Sequence, residues 1–252
     1  MSKKLQDQVA IVTGCARGIG KAIAERLADD GARLMVCDIN KAELENTAGE
    51  LRGRGAKVIS LAGDLSRAEI IQDVVDATVK EWGRIDILVN NVGGGVILPF
   101  LQHTPETLKT TIDRNLWSTI WACHKTLPHM VKQNYGRIVN IGADSVRSGL
   151  WDHAAYNAAK GGVHGMTTGL AREFARNGIT VNTVAPPATA TPQLNEMLKA
   201  DPSLVDKFVS IIPVGRPCEM SEIASMVSYL ASREASFVTG QVISVNGGST
   251  ML

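Results

Sequence analysis

Short continuous apolar runs alternate along this chain with longer amphipathic stretches. Seven runs are rich in Val and Ile: VAIVTG (9–14), RLMVCD (33–38), KVISLAGD (57–64), IDILVNN (85–91), GRIVNIGA (136–143), ITVNTVAP (179–186) and VISVNGG (242–248). Between them lie segments of helical period at 20–31, 40–55, 67–83, a long one reaching 134, then 154–178 and 219–232. Within the runs apolar residues do not alternate with polar ones. That predicts strands buried on both faces, with the intervening helices as cover. The expected fold is α/β: a doubly wound, parallel, seven-stranded sheet with helices on both faces. No linker-like composition, repeat or low-complexity tract breaks the pattern, so residues 1–252 read as one domain. The stretch 187–215 shows no clear period and reads as an irregular lid.

Composition narrows the function classes. A chain of 252 residues buries enough surface to fold without staples. Its 26 Lys and Arg balance 25 Asp and Glu, with no basic or acidic block, so neither a nucleic acid nor a membrane surface is an expected partner. Cys15, Cys37, Cys123 and Cys218 are scattered without metal-type spacing and read as small buried hydrophobes of a reducing compartment. Five histidines show no clustered ligand pattern, so no metal is expected. The charged start MSKKLQDQ runs straight into a strand rather than a signal peptide, and no apolar run reaches membrane-spanning length. A soluble, cytoplasmic protein is the expectation.

Candidate chemistry begins at TGCARGIG (13–20), between the first strand and the first helix. Gly14 permits a tight turn there, Gly18 lets backbone approach a pyrophosphate, and Gly20 allows close helix–strand packing, with the helix N-terminus facing the anion. The glycine spacing is wider than GxGxxG. Asp38 ends the second strand, where a carboxylate would grip ribose hydroxyls and repel a 2′-phosphate; its plainer reading is a helix cap. Arg17 could pair with a 2′-phosphate or be a solvated charge. NAD is therefore favoured by Asp38, and NADP is admitted by Arg17.

The glycine turn, GDL at 63–65, NNVG at 90–93, Asn115, a Tyr156/Lys160 pair four residues apart, and Pro186 with Thr191 recur in one order, end to end. In this the chain resembles the short-chain dehydrogenases/reductases. The resemblance implies a Rossmann domain and an NAD(P)-dependent oxidoreductase acting on CH–OH groups, usually a homodimer or homotetramer. It implies that Gly14, Arg17, Gly18, Ile19 and Gly20 hold phosphates, Asp64 and Leu65 flank the adenine, and Asn91 and Gly93 line the ribose. Pro186, Thr189 and Thr191 would wrap the nicotinamide end. Val92 stands where the family has alanine and Pro187 where it has glycine. The second residue stiffens the loop and removes an N–H.

Oxidising an alcohol needs a base for its hydroxyl proton. Tyr156 suits that task only if its phenol, ordinarily at ~10, is brought down. Lys160, one turn on along the same face, can stabilise the phenolate. The resemblance adds that Lys160 holds the ribose, that Asn115 helps hold a relay water, and that a serine thirteen residues before the tyrosine polarises the substrate oxygen. Position 143 is alanine. Three readings follow: Ser145 supplies the hydroxyl or Asp144 does a different job; a serine has been replaced; or activity has weakened naturally. A substituted or crippled serine is placed first, with Ser145 close behind. Along an extended chain Ser145 would share the side of Ala143 but lie ~6.6 Å further.

GGGVILPF (93–100), SGLWDHAAY (148–156) and the lid would surround the substrate. Val96, Leu150, Trp151, Leu194 and Met197 point to a mainly apolar substrate with one reacting oxygen, although each could instead be core or interface, and His153 could contact that substrate or be a surface histidine at a helix start. NNVGGG (90–95) and GLAREFARNGITVN (169–182) resemble family members that oxidise cyclic alcohols or dihydrodiols, which implies a cyclic alcohol or ketone. A 3-oxoacyl-thioester reductase is the second enzyme reading, disfavoured by Asp38. A nucleotide-binding sensor that lost its serine is the third.

Overall fold

The computed structural model describes residues 3–251, apart from the side chain of Asp206. Seven strands form one sheet: β1 (Val9–Thr13), β2 (Arg33–Asp38), β3 (Val58–Ala62), β4 (Ile87–Asn90), β5 (Gly136–Ile141), β6 (Ile179–Ala185) and β7 (Val242–Ser244). Their order is β3-β2-β1-β4-β5-β6-β7 and every pairing is parallel. The chain reverses its direction of growth between β1 and β4. In an open parallel sheet, that switch point leaves a crevice at the carboxyl ends of the strands.

Among the described residues there are ten α-helices: α1 (Gly18–Asp29), α2 (Lys41–Gly53), α3 (Ala68–Trp82), α4 (Pro105–Ile112), α5 (Ser118–Gln133), α6 (Ser145–Ser148), α7 (Ala154–Phe174), α8 (Pro192–Ala200), α9 (Leu204–Phe208) and α10 (Met220–Ala231). Of these, α1, α2, α3, α5, α7 and α10 pack on the sheet. The unalternating strands split by parity between two cores. Ala10, Val12, Leu34, Val36, Ile87 and Val89 face one layer with Ile23, Leu27, Leu44, Ile223 and Leu230 of α1, α2 and α10. Ile11, Met35, Cys37 and Leu88 face the other with Val74 and Val75 of α3 and Leu127 and Met130 of α5.

Two segments depart from the expected pattern. The stretch read as an irregular lid carries α8 and α9, and α8 is started by the Thr191 hydroxyl accepting the Leu194 N–H with proline following at 192. The long segment reaching 134 is α4 and α5 joined by a π-helical turn at Asp113–Trp117, which contains Asn115. No helix is long and apolar enough to cross a membrane, and no group of three His, Cys, Asp or Glu could hold a metal ion, among the described residues.

Candidate active site

The crevice has two connected parts. The first, about 610 Å³, is lined by Gly14, Arg17, Gly18, Ile19, Asp38, Asp64, Leu65, Asn91, Gly93 and Thr191. Here the chain is stripped of side chains where it must be. Gly14 and Gly18 have φ of +68° and +61°, and a Cβ on Gly20 would lie 2.0 Å from the Gly14 carbonyl oxygen. Asn91 locks the turn by donating its Nδ2 to the carbonyls of Thr13 (3.1 Å) and Gly14 (3.0 Å). Such a backbone cradle before a helix N-terminus fits a dinucleotide pyrophosphate.

Asp38 does not cap the following helix; Asn40 does. Its carboxylate instead accepts the Ala16 N–H (3.0 Å) and the Asn40 N–H (2.9 Å), which fixes it at the wall of the cleft. Arg17 is largely exposed, and its guanidinium lies 3.9 Å from Glu43. Asp64 accepts the Ser66 N–H and hydroxyl, and Leu65 is buried beside it.

The second part, about 460 Å³, shares Ile19, Asn91, Gly93, Thr191 and Gln193 with the first and reaches Tyr156, Lys160, Ala143 and Ser145. Tyr156 and Lys160 follow each other one turn apart on α7. Lys160 is buried; its Nζ donates to the Ile141 carbonyl (2.8 Å) and sits 5.9 Å from the Tyr156 ring centre. Asn115 is also buried and clamps Gly94 by both its N–H (3.2 Å) and its carbonyl (3.0 Å), while its Nδ2 also reaches the Thr111 carbonyl (2.8 Å). A Cβ on Gly93 would lie 3.0 Å from both Asn115 Oδ1 and Lys160 Nζ, so the two polar atoms converge on one bare stretch of backbone.

The protein alone does not bring the phenol down. Burial pushes Tyr156 up to about 12 and Lys160 down to about 8, because desolvation penalises whichever form is charged. At about 8 the ammonium still dominates at neutral pH, so Lys160 is the positive charge available to a phenolate at Tyr156.

Around the alanine the chain is not extended. Asp144 is already in the αR region and α6 begins at Ser145, so the displacement expected of an extended strand does not apply. Ala143 and Ser145 both line the cleft. The Ser145 hydroxyl donates to Asn157 Oδ1 at 2.7 Å, and the Ala143 N–H donates to Nε2 of His164 at 3.4 Å. His164 is held neutral, at about 4, by burial and then by Arg147 and Lys160.

Of the substrate candidates, Leu150, His153, Leu194 and Met197 line this part of the cleft. Val96 does not; its neighbour Ile97 does. Trp151 is 79% exposed and lies outside the lining, because the turn before α7 carries it outward. Phe208 and Ile211 of the lid, Gln193, Ser148 and Ser249 also line it and were not singled out from the sequence, and Asp144 lines it beside Ala143. For Phe208 and Ile211 the only signal was membership of the lid, and for Ser249 there was none. Pro186 and Thr189 line the same part. His153 packs edge-on against the Tyr156 and Phe208 rings, and its Nδ1 lies 2.6 Å from the Trp151 carbonyl. A carbonyl only accepts, so Nδ1 carries the proton; burial lowers the His153 pKa, leaving Nε2 as an acceptor.

The chain is similar to known proteins over almost its whole length. A family model described as enoyl-(acyl carrier protein) reductase matches residues 14–250. The chain is 58% identical over 249 residues to 2,3-dihydroxy-2,3-dihydro-p-cumate dehydrogenase of Pseudomonas putida, covering 98% of this chain and 96% of that one. It is 34% identical to 1,6-dihydroxycyclohexa-2,4-diene-1-carboxylate dehydrogenase of Acinetobacter baylyi, with 98% of each covered. Among solved structures, levodione reductase superposes with a TM-score of 0.91 at 32% identity over 97% of this chain and 98% of that one. An actinorhodin polyketide ketoreductase with NADPH gives 0.92 at 34% identity over 96% and 97%. The chain belongs to the short-chain dehydrogenase/reductase family, oxidoreductases that exchange hydride between a nicotinamide cofactor and an alcohol or ketone.

Proposed function

We propose that this enzyme oxidises a ring-borne secondary alcohol, specifically a vicinal dihydrodiol, with NAD. The observation that carries the reading is the junction of the two parts of the cleft. A backbone cradle for a dinucleotide opens, past Gly93, onto Tyr156 and Lys160 at the floor of a mostly apolar space. Two relatives whose names specify ring diols, at 58% and 34% identity, support the substrate class. The nicotinamide, when bound, supplies the hydride acceptor.

Tyr156 takes the proton from the substrate hydroxyl as the carbinol carbon gives up hydride. Lys160, charged at neutral pH and held by the Ile141 carbonyl, stabilises the phenolate that reacts. Asn115 fixes the Gly93–Gly94 backbone beside Lys160 and helps hold the water that returns the proton to solvent. Ser145 does the work of the missing serine: its hydroxyl, which rests on Asn157 Oδ1 in this structure, turns to donate to the substrate oxygen. His153 Nε2 accepts the second hydroxyl of the diol, and Leu150, Leu194, Met197 and Phe208 enclose the ring.

NAD is preferred because the fixed Asp38 carboxylate lines the ribose wall and Glu43 stands beside Arg17, the one residue that argued for NADP. Assembly into a homodimer or homotetramer is part of the same proposal. Trp117, at the end of the π-turn and 41% exposed, stacks at 5.2 Å on Trp121 of α5, which suits a surface meeting its copy.

The test is turnover of ring cis-dihydrodiols, with and without a carboxylate, against cyclohexanol, using NAD and NADP. Oxidation of diols with NAD is expected. Tyr156→Phe should lose roughly 10²–10⁴ in rate while still binding NAD. A wild-type protein that binds NAD but oxidises no ring alcohol, or a phenylalanine variant as active as its parent, overturns the reading.

A further inference from the structure

Next to Ala143 lies a carboxylate that the chemistry above does not use. Asp144 is 3% exposed, and the groups that satisfy it are neutral donors: Asn246 Nδ2 at 2.8 Å and the hydroxyls of Ser249 and Thr250. A buried carboxylate without such donors would be costly, and three charge-assisted hydrogen bonds on one group are strong together. All three donors belong to the turn after β7. That turn is closed on itself, since Asn246 also donates to the Thr250 carbonyl and accepts the Gly248 N–H.

The same residue meets the lid directly where it departs and, through that turn, where it returns. The Asp144 N–H donates to the carbonyl of Pro186 at 2.9 Å, the point from which the lid leaves β6. The lid returns against the turn that the Asp144 carboxylate holds: the Val214 N–H donates to the Gly247 carbonyl at 3.2 Å. Gly247, at φ +58°, is bare where Ile212 packs, and a Cβ there would lie 2.8 Å from the Ile212 side chain. Between those two ends the lid carries Leu194, Met197, Phe208 and Ile211 into the cleft wall.

We propose that Asp144 is a positioning residue that seats the lid over the substrate, its amide fixing the departure and its carboxylate, through residues 246–250, fixing the return. It acts through the lid's apolar wall and not on the reacting atoms, so its loss should be felt in substrate affinity before turnover. This rests on the larger reading only in taking the second part of the cleft as the substrate site.

Two variants test it from opposite sides: Asp144→Asn, and Ser249→Ala with Thr250→Val, which leaves Asp144 in place. The measurements are kcat and KM for cis-1,2-cyclohexanediol at saturating NAD, and amide hydrogen exchange by peptide. In both variants exchange across 204–214 should quicken on the order of tenfold while 9–38 is unchanged, and KM should rise by more than kcat falls. Unchanged exchange across 204–214 in both variants overturns the proposal, as does a uniform increase over the whole protein, which marks general destabilisation. If Asp144→Asn does not fold, the double variant decides alone. If the wild-type protein oxidises no ring alcohol, the dehydrogenase reading fails and exchange still decides the latch.

Discussion

The part of the cleft proposed for the nucleotide is framed by backbone from strand ends and turns, bare at Gly14, Gly18 and Gly93 and held in place by Asn91 and Asp38. The substrate part is walled by side chains from segments far apart in sequence: Ile97, the 143–156 stretch, the lid and Ser249. Peptide groups are the same whatever the residue, so a backbone wall can bind only what all such walls bind. A side-chain wall can be recut for a different ring without disturbing the sheet beneath it. The first part therefore suits a common cofactor and the second carries the choice of substrate.

The largest effect should come from breaking the backbone wall. Gly20→Ala places a methyl 2.0 Å from the Gly14 carbonyl, a contact that only backbone movement can relieve. It should weaken NAD binding on the order of 10²-fold and cost about 1–3 kcal/mol of stability, read by NAD titration and denaturant unfolding. A variant that binds NAD normally would show that the cradle is not the phosphate site.

The side-chain wall gives the next effect, smaller and confined to chemistry. Ser145→Ala should lower the rate by roughly 10² with NAD affinity unchanged, as expected for removing one group that meets the reacting oxygen. Ala143→Ser should then gain less than about tenfold. A gain of roughly 10²–10³ from Ala143→Ser, with Ser145→Ala harmless, would instead make the alanine a lesion.

The smallest effect concerns stability alone. Folded His164 titrates at about 4 against an ordinary 6.5, so as pH falls through 6.5 the unfolded chain takes up a proton that the folded protein refuses. Stability should decline from pH 6.5 down to about 4, and His164 should contribute nothing above that window. His164→Gln can still accept the Ala143 N–H and should flatten this decline. Denaturant midpoints at about pH 7 and about pH 5 check it.

What could be read in the sequence follows the same division. Strands buried on both faces announce themselves as unbroken apolar runs, so the seven strands and the main helices between them were legible, most within two residues, while β7 ends four residues before the run at 242–248 does and α7 four before 178. The glycine turn was legible because backbone demands are local. Val96 and Trp151 were misplaced because an apolar residue in a turn does not reveal which way it faces. The two lid helices were missed although Thr191 before Pro192 is a helix-start signal, because the prolines at 186, 187, 192 and 202 dominate the composition there. The π-turn that carries Asn115 left no mark on the periodicity. The contact between Asp144 and Thr250 spans 106 residues, a pairing that no local pattern encodes.

That long span also sets an order of assembly. On a ribosome adding about 5–20 residues per second, Asp144 emerges roughly 5–20 s before the hydroxyls that will satisfy it. During that interval the lid, synthesised between the two, has no seat. The substrate wall of this protein is therefore completed only by residues made after the lid itself.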